Sequence, residues 1–306
     1  MKTRFIFNPH SGKNRRDPGL ARESPSFLAR HRLDADIVLT EAPGHATALA
    51  KAAVDAGLER IVAVGGDGTL NEVAQAVAGT RASLALVPCG SGNGLALHLG
   101  IPTAPLRALA MLREGFSNHK MIDIGEADGR PFFNVMGLGF DAAVSLRFNR
   151  LERRGLPNYF RTGLAAFREH QAERVTVTTE GRSISLDAFL VTVTNSDQYG
   201  NNARIAPGAR VDDGRLDLVA VRSTGMAGAV ALAARLFLGG FDRSASVVRM
   251  EGASFMIERA APGIFHTDGE THQGPACLKV VVRPRHLRIV VPDLSQPRHP
   301  DRKNIP

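Results

Sequence analysis

The sequence is poor in the residues that cross-link secreted domains and in those that stack on nucleic acid bases. Its 306 residues include two cysteines, two tyrosines and no tryptophan. With only Cys89 and Cys277, no disulfide framework is indicated, and we expect a reducing, cytoplasmic environment. The aromatic pattern of RNA-binding strands is also absent, so nucleic acid is not expected as a partner.

Long hydrophobic runs are missing as well. The longest apolar stretch, residues 225–241, is interrupted by Arg235 and falls short of the roughly 20 residues that span a bilayer. It predicts a helix packed on a sheet. Residues 4–7 already form a strand-like run with no apolar signal segment before them, which predicts a soluble protein.

The common phosphate-binding motifs are absent, although the net charge of +8 favours an anionic partner. The Walker A motif fails at Gly12-Lys13, because Phe7 stands where its first glycine should be. The dinucleotide pattern G-x-G-x-x-G fails twice, with Asn71 and Leu95 at the third glycine position. Two large classes of nucleotide-binding proteins are therefore disfavoured.

The most informative segment that is present joins a strand to a helix through glycines. Residues 61–64 form a β-branched run typical of a buried strand, and the glycine-rich residues 65–68 follow directly. Thr69 and Glu72 fit a capping box, which predicts a helix N-terminus just after the glycines. Free N–H groups and the helix dipole at such a junction attract phosphate.

An acidic residue in this turn refines the prediction. A plain structural turn is the alternative for any Gly-Gly-x-Gly sequence. Asp67, however, would put a carboxylate next to phosphate, which is unfavourable unless a metal ion or another cation lies between them. The segment therefore predicts a Mg²⁺–nucleotide site, with a phosphate cradle formed by Gly65, Gly66, Gly68 and Thr69.

The chain divides into two halves of different pattern. Up to residue 120, strand-like and helical runs alternate, which predicts an α/β domain with a parallel sheet. Residues 121–295 contain short alternating runs that predict a mostly antiparallel β domain, and the Pro-rich, charged residues 296–306 are expected to be disordered. The predicted strands are 4–7, 36–39, 61–64, 84–87, 175–179, 188–194, 216–221, 278–282 and 287–291, and the predicted N-terminal helices are 19–31, 44–56 and 70–78.

Five segments, in order, resemble the diacylglycerol kinase catalytic-domain family, which includes bacterial lipid kinases, sphingosine kinases and ceramide kinases. Together they extend from residue 7 to residue 270, nearly the whole chain. They are an N-P-x-S-G loop at 8–12, G-G-D-G-T at 65–69, G-S-G-N at 90–93, G-x-G-F-D-A at 137–142 and D-G-E at 268–270.

The resemblance implies a NAD kinase/diacylglycerol kinase-like fold: an α/β N-terminal domain with a parallel sheet, then a mostly antiparallel β-sandwich, with the active site in the cleft between them. It implies an ATP-dependent lipid kinase that uses Mg²⁺ and phosphorylates a hydroxyl of diacylglycerol, ceramide or a long-chain base. A NAD kinase-like enzyme with a soluble acceptor is the alternative, because G-G-D-G-T is shared with NAD kinases. A binding protein without activity is the third hypothesis.

The resemblance also assigns roles to residues. Asp268 is the candidate general base, because a carboxylate within hydrogen-bond reach of a hydroxyl can take its proton. Glu270, Asp67 and Asp141 are further acidic candidates, and Asp141 is expected to face the polar head of the lipid. The candidate nucleotide-binding residues end strands or line the two glycine loops: Asn8, Ser11, Thr40, Gly65, Gly66, Asp67, Gly68, Thr69, Ser91, Gly92 and Asn93.

Further expectations concern metal, acceptor and membrane. The Asp-Asp-Gly loop resembles a structural Mg²⁺ site, with Asp213 and the carbonyls of Arg210 and Arg215 as ligands, although a plain hairpin is an equal alternative. Gly94 stands where many bacterial diacylglycerol kinases carry Asp, which favours the sphingosine and ceramide kinase pattern. Arginines interleaved with apolar residues at 147–168 indicate either peripheral contact with a membrane or a solvated helix packed on the β domain, and a homodimer is compatible with the resemblance.

Overall fold

Four parallel strands form the N-terminal sheet of the computed structural model, which describes residues 3–16, 26, 34–114, 118–149, 167 and 170–293. Their order is β4-β3-β1-β2. The central strands β3 and β4 are almost entirely buried, as their continuous apolar sequence requires. The predicted α/β domain with a parallel sheet is confirmed. The strands are β1 (Thr3–Phe7), β2 (Ala35–Leu39), β3 (Arg60–Gly65) and β4 (Ser83–Pro88).

Helices cover both faces of this sheet. On one face, Ala46 and Val73 from two helices pack against Ile61 of β3. On the other face, Leu109 packs with Phe5 of β1. The helices of this half are α1 (Gly12–Arg16), α2 (His45–Asp55), α3 (Asp67–Val77), α4 (Gly94–His98) and α5 (Pro105–Glu114).

The second half is mostly antiparallel, as predicted, and buries its own apolar cluster, which includes Phe132, Leu218 and Phe255. Its path through the sheet is β16-β15-β7-β9-β8-β14-β17, with β12 between β9 and β13. The elements are β5 (His119–Ala127), β6 (Arg130–Phe132), β7 (Val135–Gly139), α6 (Phe140–Asn149), β8 (Glu173–Thr179), β9 (Arg182–Thr194), β10 (Gln198–Gly200), β11 (Ala203–Arg204), β12 (Leu216–Arg222), α7 (Met226–Leu238), β13 (Val247–Gly252), β14 (Ser254–Arg259), β15 (Gly263–Thr267), β16 (Glu270–Gly274) and β17 (Cys277–Val290).

The last strand connects the two halves. β17 pairs with β14 and β5, and its end pairs in parallel with β4 through Ile289 and Leu84. The sequence predicted two separate strands, 278–282 and 287–291. They are one strand with an irregularity between Arg283 and Leu287, where Arg285 has a left-handed φ of 49°. The chain therefore returns to the N-terminal sheet after building the second half.

Some predictions differ from the structure or fall outside it. Helix α6 was not predicted, because its apolar residues are spread around the helix instead of forming one face. Helix α7 packs on the sheet as predicted, through the buried Leu232, but much of its surface is exposed. Within the described ranges, no helix is long and apolar enough to cross a bilayer. Most of the predicted helix 19–31, most of the proposed membrane surface 147–168 and the tail 296–306 lie outside the described residues.

Candidate active site

The first glycine loop passes from β3 directly into helix α3. Gly66 caps the helix in an extended conformation, with φ −92° and ψ −171°. A Cβ atom on Gly65 would collide with the Thr69 side chain, and one on Gly66 would lie 3.2 Å from the Cα atom of Gly90. The glycines are therefore needed for close packing. None of Gly65, Gly66 and Gly68 has a positive φ.

The predicted capping box is wrong. Helix α3 begins at Asp67, so Thr69 lies inside the first turn, and none of the described side chains caps the N-terminus. The Thr69 hydroxyl accepts a hydrogen bond from the Asn8 side-chain amide at 2.9 Å. The Glu72 carboxylate accepts one from the Ala46 backbone N–H at 3.0 Å. Both side chains instead tie helix α3 to neighbouring elements.

Asp67 joins the first glycine loop to the second. Its carboxylate accepts the backbone N–H groups of Asn93 at 2.9 Å and Gly94 at 3.0 Å. Burial raises the pKa of Asp67, while these donors favour its charged form. The sequence predicted that Asp67 lies next to a metal ion bound beside phosphate. Its two hydrogen bonds from backbone amides give Asp67 a structural role that requires no metal ion.

The second glycine loop is shaped by Asn93 and held by both halves of the molecule. Asn93 has a left-handed φ of 51°, and its side chain bonds both the N–H and the carbonyl of Gly90. From the second half, the Asn201 N–H donates to the Gly92 carbonyl at 2.8 Å. The loop, which also contains Ser91, therefore lies at the junction of the two halves, as a cleft site requires.

Three predicted nucleotide-binding residues follow the ends of β1 and β2. Asn8 contacts the first glycine loop through Thr69, and Ser11 donates to the Asn8 carbonyl at 3.1 Å. The Thr40 N–H donates to the Phe7 carbonyl at 2.9 Å, one strand further from the loop. Asn8 is thus beside the cradle, whereas Ser11 and Thr40 support the edge on which it lies.

Asp268 links the acceptor side to helix α3. Its carboxylate accepts backbone N–H groups from Phe133, Asn134 and Val135 at 2.8–3.0 Å, and the Asn71 side-chain amide at 3.3 Å. A carboxylate has about four acceptor positions, so these four donors fill them. Burial raises the pKa of Asp268 to about 6, against the effect of the backbone donors.

Asp141 is the centre of a second buried network. Its Oδ2 atom accepts the hydroxyls of Thr192 and Tyr199, each at 2.9 Å, and lies 3.1 Å from His266 Nε2. The Gly269 N–H donates to His266 Nδ1, so the ring proton belongs on Nε2, facing Asp141. Burial opposes ionisation, but His266 and the two hydroxyls hold the pKa of Asp141 below its usual range.

Glu270 differs from the other three acids. It begins strand β16, opposite Thr267, and its side chain is exposed. Within the described ranges, no hydrogen bond to the Glu270 carboxylate is found. It is therefore the acid of the D-G-E segment that has room to accept a proton.

The sequence missed the residues that connect these acids. Asn71, Thr192 and Tyr199 bind them with their side chains, and Asn134 binds Asp268 with its backbone N–H, all between segments far apart in the chain. A Cβ atom on Gly94 would come within 2.6 Å of the Asn134 side-chain nitrogen. Position 94, where many bacterial diacylglycerol kinases carry Asp, therefore has room only for glycine in this structure.

The predicted structural Mg²⁺ loop makes contacts of its own and with strand β5. The Asp213 carboxylate accepts the Arg215 N–H at 3.0 Å, and the neighbouring Asp212 forms a 3.1 Å ion pair with Lys120. A carboxylate with the carbonyls of Arg210 and Arg215 is an all-oxygen donor set, which suits Mg²⁺. The metal assignment therefore stays a prediction.

Comparison with known proteins identifies the family. The model of the diacylglycerol kinase catalytic domain matches residues 2–127, and that of the YegS C-terminal NAD kinase beta sandwich-like domain matches residues 134–291. The chain belongs to the diacylglycerol kinase catalytic-domain family. The predicted resemblance is confirmed over both halves.

Individual relatives agree with this family. A probable lipid kinase YegS-like protein of Pseudomonas aeruginosa is 33% identical over 81% of this chain and 82% of its own. A diacylglycerol kinase of Bacillus subtilis is 27% identical over 95% and 96%. A similar protein of Pseudomonas putida, 37% identical, is matched over only 62% of its length.

Solved structures confirm the fold class. A putative diacylglycerol kinase from Bacillus anthracis superposes with a TM-score of 0.77 at 25% identity, covering 95% of this chain and 96% of that one. An NAD kinase from Archaeoglobus fulgidus, in complex with ATP, gives a TM-score of 0.55 at 12% identity over 96% and 94%. The second similarity concerns the fold alone.

Proposed function

We propose that this member of a lipid kinase family uses ATP to phosphorylate the hydroxyl group of a lipid in the cleft between its two halves. One observation carries the proposal: helix α3, which starts at the first glycine loop, is hydrogen-bonded through Asn71 to Asp268 of the acceptor side. Phosphoryl transfer needs a nucleotide and an acceptor held next to each other. This contact brings the two candidate regions together.

The nucleotide side offers backbone groups for phosphate. The N-terminus of α3 directs free N–H groups and a positive dipole toward its first turn. Among the described residues, nothing outside the local backbone of the helix lies within 4 Å of a Cβ position at Gly68, so the loop is open on that side. Mg²⁺ bound with ATP would neutralise phosphate charge, and Asp67 is its candidate oxygen ligand.

The geometry favours Glu270 over Asp268 as the general base. Asp268 would have to give up one of its four donors before it could accept a proton from a substrate hydroxyl. Glu270 is exposed and lies two residues after Asp268, at the start of the second strand of the β15–β16 hairpin. We therefore propose that Glu270 takes the hydroxyl proton, while Asp268 holds segment 133–135 against helix α3.

The acceptor region has a fixed negative charge. Asp141 is kept ionised by His266 and by the hydroxyls of Thr192 and Tyr199. Such a carboxylate can accept hydrogen bonds from the hydroxyl or amine groups of a lipid head. Diacylglycerol, ceramide and long-chain bases all carry such groups, and the names of the relatives above are those of lipid kinases.

A labelled-ATP screen tests the proposal. The pure protein is incubated with Mg²⁺ and ATP labelled at the γ-phosphate, together with diacylglycerol, ceramide, a long-chain base, a lipid alcohol or NAD. We expect label in one or more lipids and none in NAD, and Glu270→Gln should remove it. Label in NAD alone would make the protein NAD kinase-like, and label in no acceptor would favour a binding protein.

A further inference from the structure

Helix α7 has an apolar surface on the side that faces solvent. Apart from Arg235, every exposed residue of the helix is apolar, and four of them are large: Met226, Val230, Phe237 and Leu238 are 43, 62, 54 and 86% exposed. We call these four residues and the alanines between them the outer face. A helix that packs on a sheet normally has a polar solvent side. The composition of α7 is that of a helix covered on both sides.

The opposite side of α7 is firmly packed. Leu232 is buried, and it clusters with Phe241 and with Val219 and Val221 of strand β12. The outer face is therefore fixed in its orientation, and it cannot be hidden by turning the helix without unpacking this cluster. Exposed apolar surface of this kind marks a contact with another apolar phase.

The charges around α7 favour an anionic lipid surface as the partner that covers the outer face. Residues 222–243 contain Arg222, Arg235 and Arg243, all exposed, and one acid, Asp242. Basic residues flanking an apolar helix face are the pattern of helices that lie in the interface of anionic membranes. A second copy of the chain would bring the same arginines against each other, which disfavours a symmetric dimer through this face.

The length of helix α7 also fits contact with a lipid surface. Thirteen residues at about 1.5 Å each give a helix of about 20 Å, too short to span the apolar core of a bilayer. It is long enough to lie along the surface. Arg235 follows the apolar face near the C-terminal end, where its guanidinium donates to the Gly240 carbonyl at 3.1 Å, so its charge stays at the edge of that face.

Helix α7 is also connected to the acceptor region. The cluster beneath it includes Tyr199, whose hydroxyl donates to Asp141 at 2.9 Å. We propose that the outer face of α7 docks in the surface of an anionic bilayer and so presents the acceptor side of the cleft to membrane lipids. The link to catalysis rests on the proposed function, whereas the docking itself does not.

Vesicle co-sedimentation of the full chain tests the docking surface. Wild type, Phe237→Glu/Leu238→Glu and the matched control Leu106→Glu are mixed with phosphatidylcholine vesicles, with and without phosphatidylglycerol. Leu106 is a suitable control because it is an exposed leucine, 59% accessible, on helix α5 of the other half. We expect wild type and Leu106→Glu to bind the anionic vesicles, and the affinity of the double variant for them to be lower by about tenfold or more.

The outcomes separate docking from catalysis. Equal binding by the double variant, or no binding by wild type, would overturn the docking proposal. So would a dimer of the wild type that Phe237→Glu/Leu238→Glu converts to a monomer, because the face would then be covered by a second copy. If docking depends on the outer face but no lipid accepts label from ATP, the proposed function fails and the docking surface stands.

Discussion

The two sides of the cleft are built in different ways. The nucleotide side is made of backbone and glycine: its two loops pack with Gly66 against Gly90, and its one acid, Asp67, is used to hold them together. The acceptor side is made of side chains, with Asp141 at the centre of a network of His266, Thr192 and Tyr199. In the proposed function, the first side would bind phosphate by its shape and N–H groups, and the second would bind the polar head of a lipid by its side chains.

The largest effect is expected from a side chain added where the two glycine loops of the nucleotide side pack together. A Cβ atom on Gly90 would lie 2.7 Å from the Cα atom of Gly66, and backbone cannot yield as a flexible side chain does. We expect Gly90→Val to abolish Mg²⁺–ATP binding and to destabilise the fold by several kcal/mol, roughly the cost of severe overpacking. Calorimetric titration and urea unfolding measure the two effects.

Gly68→Val is the matched control on the same loop. Its Cβ position is open and its φ is not left-handed, so the fold should keep its stability. If phosphate occupies the open space, the variant still loses affinity for Mg²⁺–ATP. Unchanged affinity would mean that the loop is only a turn.

The same contrast explains what the sequence could predict. The glycine loops follow strands within one local segment, so their position was visible from residues 61–69 and 84–93 alone. Thr192 reaches Asp141 only after β7 and β9 pair, Tyr199 reaches it from β10, and no spacing in the sequence indicates either contact. Asp67 and Asp268 were recognised as important acids, but their hydrogen bonds to backbone amides depend on loops brought together by the fold.

A second prediction concerns the acid of the nucleotide side. Asp67→Asn keeps one oxygen acceptor but turns an NH₂ group toward the N–H of Asn93 or Gly94. Leaving one buried donor unsatisfied should cost about 1–3 kcal/mol of unfolding free energy. Urea unfolding checks this loss, and Asp36→Asn, at an exposed ion pair with Arg4, is the control that should cost about 1 kcal/mol or less. An equal loss in both variants would contradict the role given to Asp67.

The smallest effect is expected on the acceptor side, from Tyr199→Phe. The change removes one of the hydroxyl donors of Asp141 and should cost about 0.5–1.5 kcal/mol. Because the folded pKa of Asp141 is lowered, its contribution to stability is present above the ordinary carboxyl pKa and is lost as the pH falls through the folded value. Tyr199→Phe should raise the folded pKa of Asp141, so the contribution is smaller and its loss is complete at a higher pH than in wild type.

Acid unfolding followed by circular dichroism measures this difference. The stability of Tyr199→Phe near pH 7 serves as its internal reference. Identical acid transitions in the two proteins would show that Tyr199 does not help to keep Asp141 ionised.

The most direct test of the account compares the two acids of the D-G-E segment. Turnover and unfolding free energy are measured side by side for Glu270→Gln and Asp268→Asn. Asparagine, like aspartate, tolerates the left-handed φ of 48° at position 268, so the backbone is not the cause of any loss there.

We predict that Glu270→Gln stays within about 0.5 kcal/mol of wild-type stability and loses about 10²–10⁴ in turnover. Asp268→Asn should instead unfold more easily by about 1–3 kcal/mol, because its NH₂ group would face backbone N–H donors. Wild-type turnover in Glu270→Gln, together with an inactive Asp268→Asn of unchanged stability, would contradict the account.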